Sequence, residues 1–155
     1  MKRITTLALA GALGATFIGS ATAHDIDNAA VKARIALMQL YAFNLSTLGA
    51  MAKGDVAYDA EAASRAAGTL VTLSQVDQSA MWPAGSDSAS DPASRALPAI
   101  WENFPDVSAK GAAFGEAAVA MQAAAGQDLE ALQAAMGTLG GTCSACHKAY
   151  RAPKN

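Results

Sequence analysis

From Leu129 to Tyr150 the sequence sets Leu129, Leu132, Met136, Leu139, Cys143, Cys146 and Tyr150 at alternating spacings of four and three. Only an α-helix gathers such a row onto one face, and a face that long needs other helices to cover it. The rest of the chain supplies them. Of 155 residues, 52% are hydrophobic and 15% charged, alanine dominates, and no alternating run reads as a strand. The expected fold is all-α, an antiparallel up-down-up-down four-helix bundle in one domain. With 11 basic against 13 acidic residues, scattered along the chain, nucleic-acid binding has no footprint. High apolar content and low net charge exclude a disordered chain.

The first 23 residues stand apart. Lys2 and Arg3 precede an apolar run from Ile4 to Ile18, then Ala21-Thr22-Ala23, the basic, apolar and small-residue parts of a secretory signal peptide. The run falls short of a membrane span and is interrupted by Gly11, Gly14 and Gly19. Cleavage after Ala23 leaves residues 24–155 and shifts the net charge from −2 to −4. No later segment reads as a bilayer span. The expected product is soluble, without membrane insertion, in a Gram-negative periplasm.

Helices are expected at about 27–53, 59–74, 100–125 and 128–151. Asp25 or Asp27, Asp59 and Asp128 are N-cap residues, and Gly54 stops the first helix. That helix carries two apolar stripes, Val31-Ile35-Met38-Ala42-Leu45 and Leu37-Tyr41-Leu48-Met51, the first read as the main core face. Between Asp77 and Pro98 lies a long connection rich in turn residues, the kind of loop that lines a site. Pro105 either sits in the first turn of the third helix or ends a short helix carrying Trp101.

Cys143-Ser144-Ala145-Cys146-His147 is the strongest motif. Two thiols three positions apart lie on one helix face and can form thioethers to the vinyl groups of a haem, with the next imidazole beneath the iron. A redox dithiol would want a strand before it and a helix N-terminus beneath it. A structural zinc wants about four ligands, and the chain has two cysteines and two histidines. The reading is one covalently bound haem c, held by Cys143 and Cys146, with His147 as axial ligand. The opposite face of the iron needs a different helix. In an up-and-down bundle Met38 lies nearest, Met81 in the connection is the runner-up, and Met51 and Met121 belong to the far end; His24 would require the N-terminus to fold inward. Plain core filling is the competing role for any of these methionines. Arg34, one turn before Met38, and Arg151, one turn after His147, are placed to meet a haem propionate or the proximal side, against the alternative of solvated charges. No triad, phosphate loop or carboxylate pair suggests an enzyme.

The mature chain resembles the class II c-type cytochromes, the cytochrome c' family. The likeness lies in Val31-Lys32-Ala33-Arg34, Leu48 to Gly54, Tyr58-Asp59, Arg95 to Trp101 and Cys143 to His147 followed by Tyr150-Arg151. It implies His147 as proximal ligand, Arg34 near a propionate and Arg151 beside the proximal imidazole. High-spin members of that family leave the sixth position open and bind nitric oxide or carbon monoxide; a low-spin branch places a methionine there. Counted back from Lys53-Gly54, Met38 falls on that position, and Leu37-Met38 with Asn44 is similar to the low-spin pattern. The segment from Gly85 to Ser94 departs from the family, which leaves Arg95 without an assigned role. The expectation is a periplasmic electron carrier with His147 and Met38 as axial ligands, serving periplasmic or membrane redox proteins. The second apolar stripe permits a homodimer through helices one and two.

Overall fold

A computed structural model describes residues 27–154. The expected signal peptide, His24 and Asp25 lie outside the described residues. Four long helices form the body: α1 (Ala29–Lys53), α2 (Ala60–Ser74), α4 (Phe104–Ala125) and α5 (Leu129–Tyr150), with the single-turn α3 (Ala99–Glu102) before α4. Contacts run in a ring from α1 to α2 to α4 to α5 and back, the α4–α5 interface being the most extensive. This is the four-helix bundle the amphipathic spacing demands. Among the described residues there is no strand, only an isolated antiparallel bridge between Ala96 and Arg151.

Local chemistry sets the boundaries. Asn28, rather than Asp25 or Asp27, caps α1, its side chain accepting from the amides of Ala30 and Val31. Gly54 ends that helix at φ 79°, a left-handed conformation that costs glycine little. Asp59 and Asp128 accept from Ala62 and Ala131 as N-caps. Of the alternatives over 100–125, the structure takes a short separate helix carrying Trp101, α3, followed by α4. Asn103 separates the two, and Pro105 falls in the first turn of α4, where its missing amide hydrogen has no helical partner to lose.

Leu48, Leu70, Met121, Leu132 and Leu139 are fully buried at the centre. Tyr41 and Phe114 meet edge to face at 4.8 Å, and the Tyr41 hydroxyl donates to the Leu73 carbonyl at 2.9 Å. Two expectations for α1 need correction. The core takes the second stripe, Leu37, Tyr41, Leu48 and Met51, while Met38 is 40% exposed and Ala42 also faces out. Because α1 is apolar nearly all round, with Leu40 and Phe43 exposed as well, the pattern alone did not single out the inner face. For the same reason α1 is long and apolar enough to cross a membrane by length and composition, against the expectation that no segment after residue 23 is. Its buried Arg34 and Asn44 and its core leucines belong to the bundle.

The connection from α2 to α3 is held down by one cation. Arg34, buried on α1, donates from Nη1 to the Met81 carbonyl (2.6 Å) and Ser86 Oγ (2.7 Å), and from Nη2 to the Ser86 carbonyl (2.6 Å) and Ser94 Oγ (3.3 Å). Its guanidinium lies over the Trp82 ring, 4.6 Å from the centroid, and Trp101 Nε1 donates to the Trp82 carbonyl at 3.1 Å. The same connection pairs with the chain beyond α5: Leu97 N donates to Tyr150 O, and Ala152 N to Arg95 O. Tyr150 in turn donates to Asp106 Oδ2 at 2.6 Å, tying α5 to α4.

Arg34→Lys removes the planar fork that serves four acceptors at once. It should cost about 2 kcal/mol, since hydrogen bonds to charged groups are the strong ones. Hydrogen exchange of the 81–97 amides should quicken more than that of α2 or α4. Protection unchanged over 81–97 would mean that Arg34 does not hold the connection.

Hydrogen bonding to Asp106 pushes the Tyr150 phenol up to about 12 from an ordinary 10.0, while the same bond holds the Asp106 carboxyl below its ordinary 3.8. A raised phenol favours the folded state fully below pH 10, and that contribution is lost as the pH climbs through about 12. The depressed carboxyl contributes above pH 3.8, and its share is lost on further acidification. Tyr150→Phe should therefore lower the urea midpoint at pH 7 and flatten the alkaline loss of stability between pH 10 and 12.

Candidate haem site

Cys143, Cys146 and His147 occupy adjoining positions on the last two turns of α5, which the core residues Leu132 and Leu139 hold against the bundle. Both thiols are free and half-buried, as is His147. Burial pushes the Cys143 and Cys146 thiols up from their ordinary value. They are poor thiolates at neutral pH, the reverse of what a redox dithiol requires. Burial, reinforced by the charges of Arg151 and Arg95, holds the His147 imidazole below its ordinary 6.5. A neutral ring at pH 7 offers iron the lone pair that coordination needs.

The position of α1 follows from two contacts. Gln133 Nε2 donates to the Ala52 carbonyl at 2.7 Å, and Met136 Cε packs over Gly49. A residue later on α5 thus meets a residue earlier on α1, so the helices run antiparallel. Met38 lies 14 residues before Ala52, and His147 lies 14 residues after Gln133. Both helices rise about 1.5 Å per residue, which brings Met38 level with His147 and Arg34 level with Arg151. Cys143 comes near the middle of α1, where burial first and then Cys143 push the Tyr41 phenol up.

The other residues singled out from the sequence are dispersed by the fold. Met51 and Met121 are buried in the core. Met81 packs against the core cluster, and its carbonyl is a partner of Arg34. Asn44 is buried, donating to the Leu40 carbonyl at 2.8 Å. Arg34 is no solvated charge: both terminal nitrogens are spent on the connection, leaving Nε–H as its one donor without a protein acceptor among the described residues. A propionate contact there is limited to that donor or requires exchange. Arg151 is exposed and caps α5 through its amide, beside His147.

Sequence reasoning missed the partners of Arg34, namely Trp82, Ser86 and Ser94. The available signal was an arginine on an apolar helix face, which needs acceptors, together with a Ser-rich, Trp-bearing connection. It also left Arg95 open; the structure sets Arg95 and Lys148 beside His147 around an open groove of about 400 Å³ that Cys143, Arg151 and Pro153 also line.

The donor set tests which group belongs here. Among the described residues, no three His, Cys, Asp or Glu side chains converge on a metal position, so zinc has no ligand set. Haem iron brings four ring nitrogens of its own and asks the protein only for axial ligands and, in the c type, two thiols. Cys143, Cys146 and His147 meet that demand.

The family model described as Cytochrome C' matches residues 29–151. A cytochrome c-554 of Cereibacter sphaeroides is 43% identical over 97% of this chain and 98% of its own length. Among solved structures, cytochrome c' from Rhodobacter spheriodes superposes with a TM-score of 0.79 at 40% identity, covering 81% of this chain and 96% of that one. A carbon monoxide-bound variant of cytochrome c prime from Alcaligenes xylosoxidans superposes with a TM-score of 0.69 at 34% identity, covering 80% and 94%. A four-helix bundle bearing Cys143, Cys146 and His147 at the end of its last helix, matched by these relatives over nearly their whole length, belongs to the cytochrome c' family of class II c-type cytochromes, whose cofactor is one covalently attached haem c.

Proposed function

We propose that this cytochrome is a periplasmic one-electron carrier in which His147 and Met38 are the axial ligands. The observation that carries the reading is the α1–α5 register, which sets Met38 level with His147 on a helix edge the core leaves open. Haem c would supply a one-electron iron couple, and a thioether ligand such as that of Met38 would raise its potential. Cys143 and Cys146 tether the group, and His147 presents its neutral nitrogen. Met38 offers a soft sulfur from the neighbouring antiparallel helix α1. Arg34 fixes the connection over the start of α1, so that the distal ligand stands on a helix whose neighbours do not shift. No residue set is proposed for making or breaking substrate bonds. The exposed Leu40 and Phe43 on α1 support pairing of two copies, and the leader expected over residues 1–23 supports export.

Relatives of known structure favour a second reading over this one: those similar to this chain include a carbon monoxide-bound variant and a nitric oxide-bound variant of the Alcaligenes cytochrome c prime. In that case Met38 covers an open sixth position, and the protein binds carbon monoxide or nitric oxide. The visible spectrum of the ferrous holoprotein decides between them. The electron-carrier reading expects sharp low-spin bands that do not change under carbon monoxide, and complete conversion to a carbon monoxide-binding form in Met38→Ala. Met81→Ala should leave the spectrum as it is. A wild-type protein that is high-spin and takes up carbon monoxide at once would establish the second reading instead.

A further inference from the structure

The closing turns of α5 are held firmly at two ends and lightly between them. Leu139, fully buried, anchors one end. Tyr150 anchors the other: its side chain is buried, its hydroxyl donates to Asp106 and its carbonyl accepts from the Leu97 amide. Just beyond it, Ala152 N donates to Arg95 O. From Gly140 to Ala149 the chain buries no side chain. Among the described residues, the side-chain hydrogen bond of that stretch, from Thr142 Oγ to the Leu139 carbonyl, stays within the helix.

The sequence weakens the same stretch. It opens with Gly140 and Gly141, and each glycine in a helix interior lowers the helical equilibrium about fourfold against alanine. Gly140 shares a face with Cys143 and His147, where the close approach of a flat group gives glycine a use. Gly141 has no such reason. It is exposed, its φ is not positive, and a methyl group there would meet nothing within 4 Å. Glycines elsewhere in the bundle do serve packing: Gly49 lies under Met136, and Gly68 and Gly126 closely approach Gln122 and Ser64.

The two thiols supply a purpose for this weakness. Cys143 lies beside Tyr41 of α1, and Cys146 lies within the field of Lys110 and Asp106 of α4; both are free and half-buried. The closed helix fixes each sulfur against its own neighbour, whereas an opened segment lets both turn toward one ring. Opening a lightly held stretch between two anchors costs far less than unfolding the bundle.

We propose that α5 is built to open between Leu139 and Tyr150, and that haem is attached to the opened segment. The helix then closes again and restores the register that sets His147 level with Met38. The reactant is a ferrous haem carrying two vinyl groups. Each thiol adds across one vinyl: sulfur bonds to the carbon next to the ring, the thiol hydrogen goes to the terminal carbon, and the double bond becomes single. There is no net oxidation and no leaving group. This concerns the tethering of haem and not what stands opposite His147.

The test uses the mature full-length chain before haem attachment. Hydrogen exchange read by mass spectrometry should be faster over 140–149 than over 129–139 or α4. Ferrous haem is then added under reductant, and attachment is read as the haem absorbance that stays with the denatured chain. Gly141→Ala should slow both the 140–149 exchange and the attachment about fourfold, and Ala149→Gly, exposed in the same stretch, should quicken both by a similar factor. Gly111→Ala, at an equally open position on α4, should change neither. Once loaded, all three variants should share the wild-type visible spectrum, since none of these positions belongs to the haem-bearing set. Attachment rates that do not follow the 140–149 exchange would overturn the proposal. So would an equal effect from Gly111→Ala, or exchange that is uniform along the chain, whether fast or slow.

Discussion

The packing of α1 along α5 is the constraint from which the rest of the site follows. A single helix can present Cys143, Cys146 and His147 on one side, but it cannot wrap a flat group and supply the opposite ligand as well. Whatever side chain covers the far side, as ligand or as lid, has to come from a different helix at a fixed height. Height here is set far from the iron site, where Gln133 reaches the Ala52 carbonyl and Met136 covers Gly49. Fourteen residues of rigid helix on each side carry that register to Met38 and His147. A one-turn slip would move Met38 by about 5.4 Å along the helix axis and bring a different side chain level with His147.

Arg34 shows how the chain tolerates a cation in an apolar setting. Among the described residues no carboxylate pairs with it directly; Asp91 helps from a distance, while two serine hydroxyls, two carbonyls and an indole face share the charge. Neutral dipoles of this kind satisfy a guanidinium only if each is held in place. Ser86 Oγ accepts from Arg34 and donates to Pro83 O, so the turn that follows Trp82 is closed by the same contact. The long connection is therefore not a loose loop. It gains its order from one residue on α1, and through Leu97 and Arg95 it passes that order to the end of α5.

How far the sequence could be read depended on whether the deciding contact was local. Asp59, Asp128 and Gly54 marked helix ends because capping acts within three residues, and each does so in the structure. The Cys143-to-His147 motif was legible for the same reason. The inner face of α1 was not, since two apolar stripes lie side by side and only the neighbouring helices choose between them. Nor was the role of Arg34, whose acceptors lie 47 to 60 residues away along the chain. Asn28 displaced two nearby aspartates as the α1 cap, a difference that turns on one residue of backbone direction.

The electrostatics of the site carry a tension between ligation and surface charge. Burial first, and then the charges of Arg151 and Arg95, hold the His147 imidazole below its ordinary value, which suits it to iron. The same two charges sit on the open groove, where they face outward rather than pairing with acids. Burying them in ion pairs would calm the surface but remove the smaller, charge-based part of what lowers the His147 imidazole, of which burial is the larger. Leaving them open draws anions toward the one part of a net-acidic molecule where the haem-bearing residues surface. Placement of cations with no ion pair among the described residues at that edge thus bears directly on the iron ligand beside them.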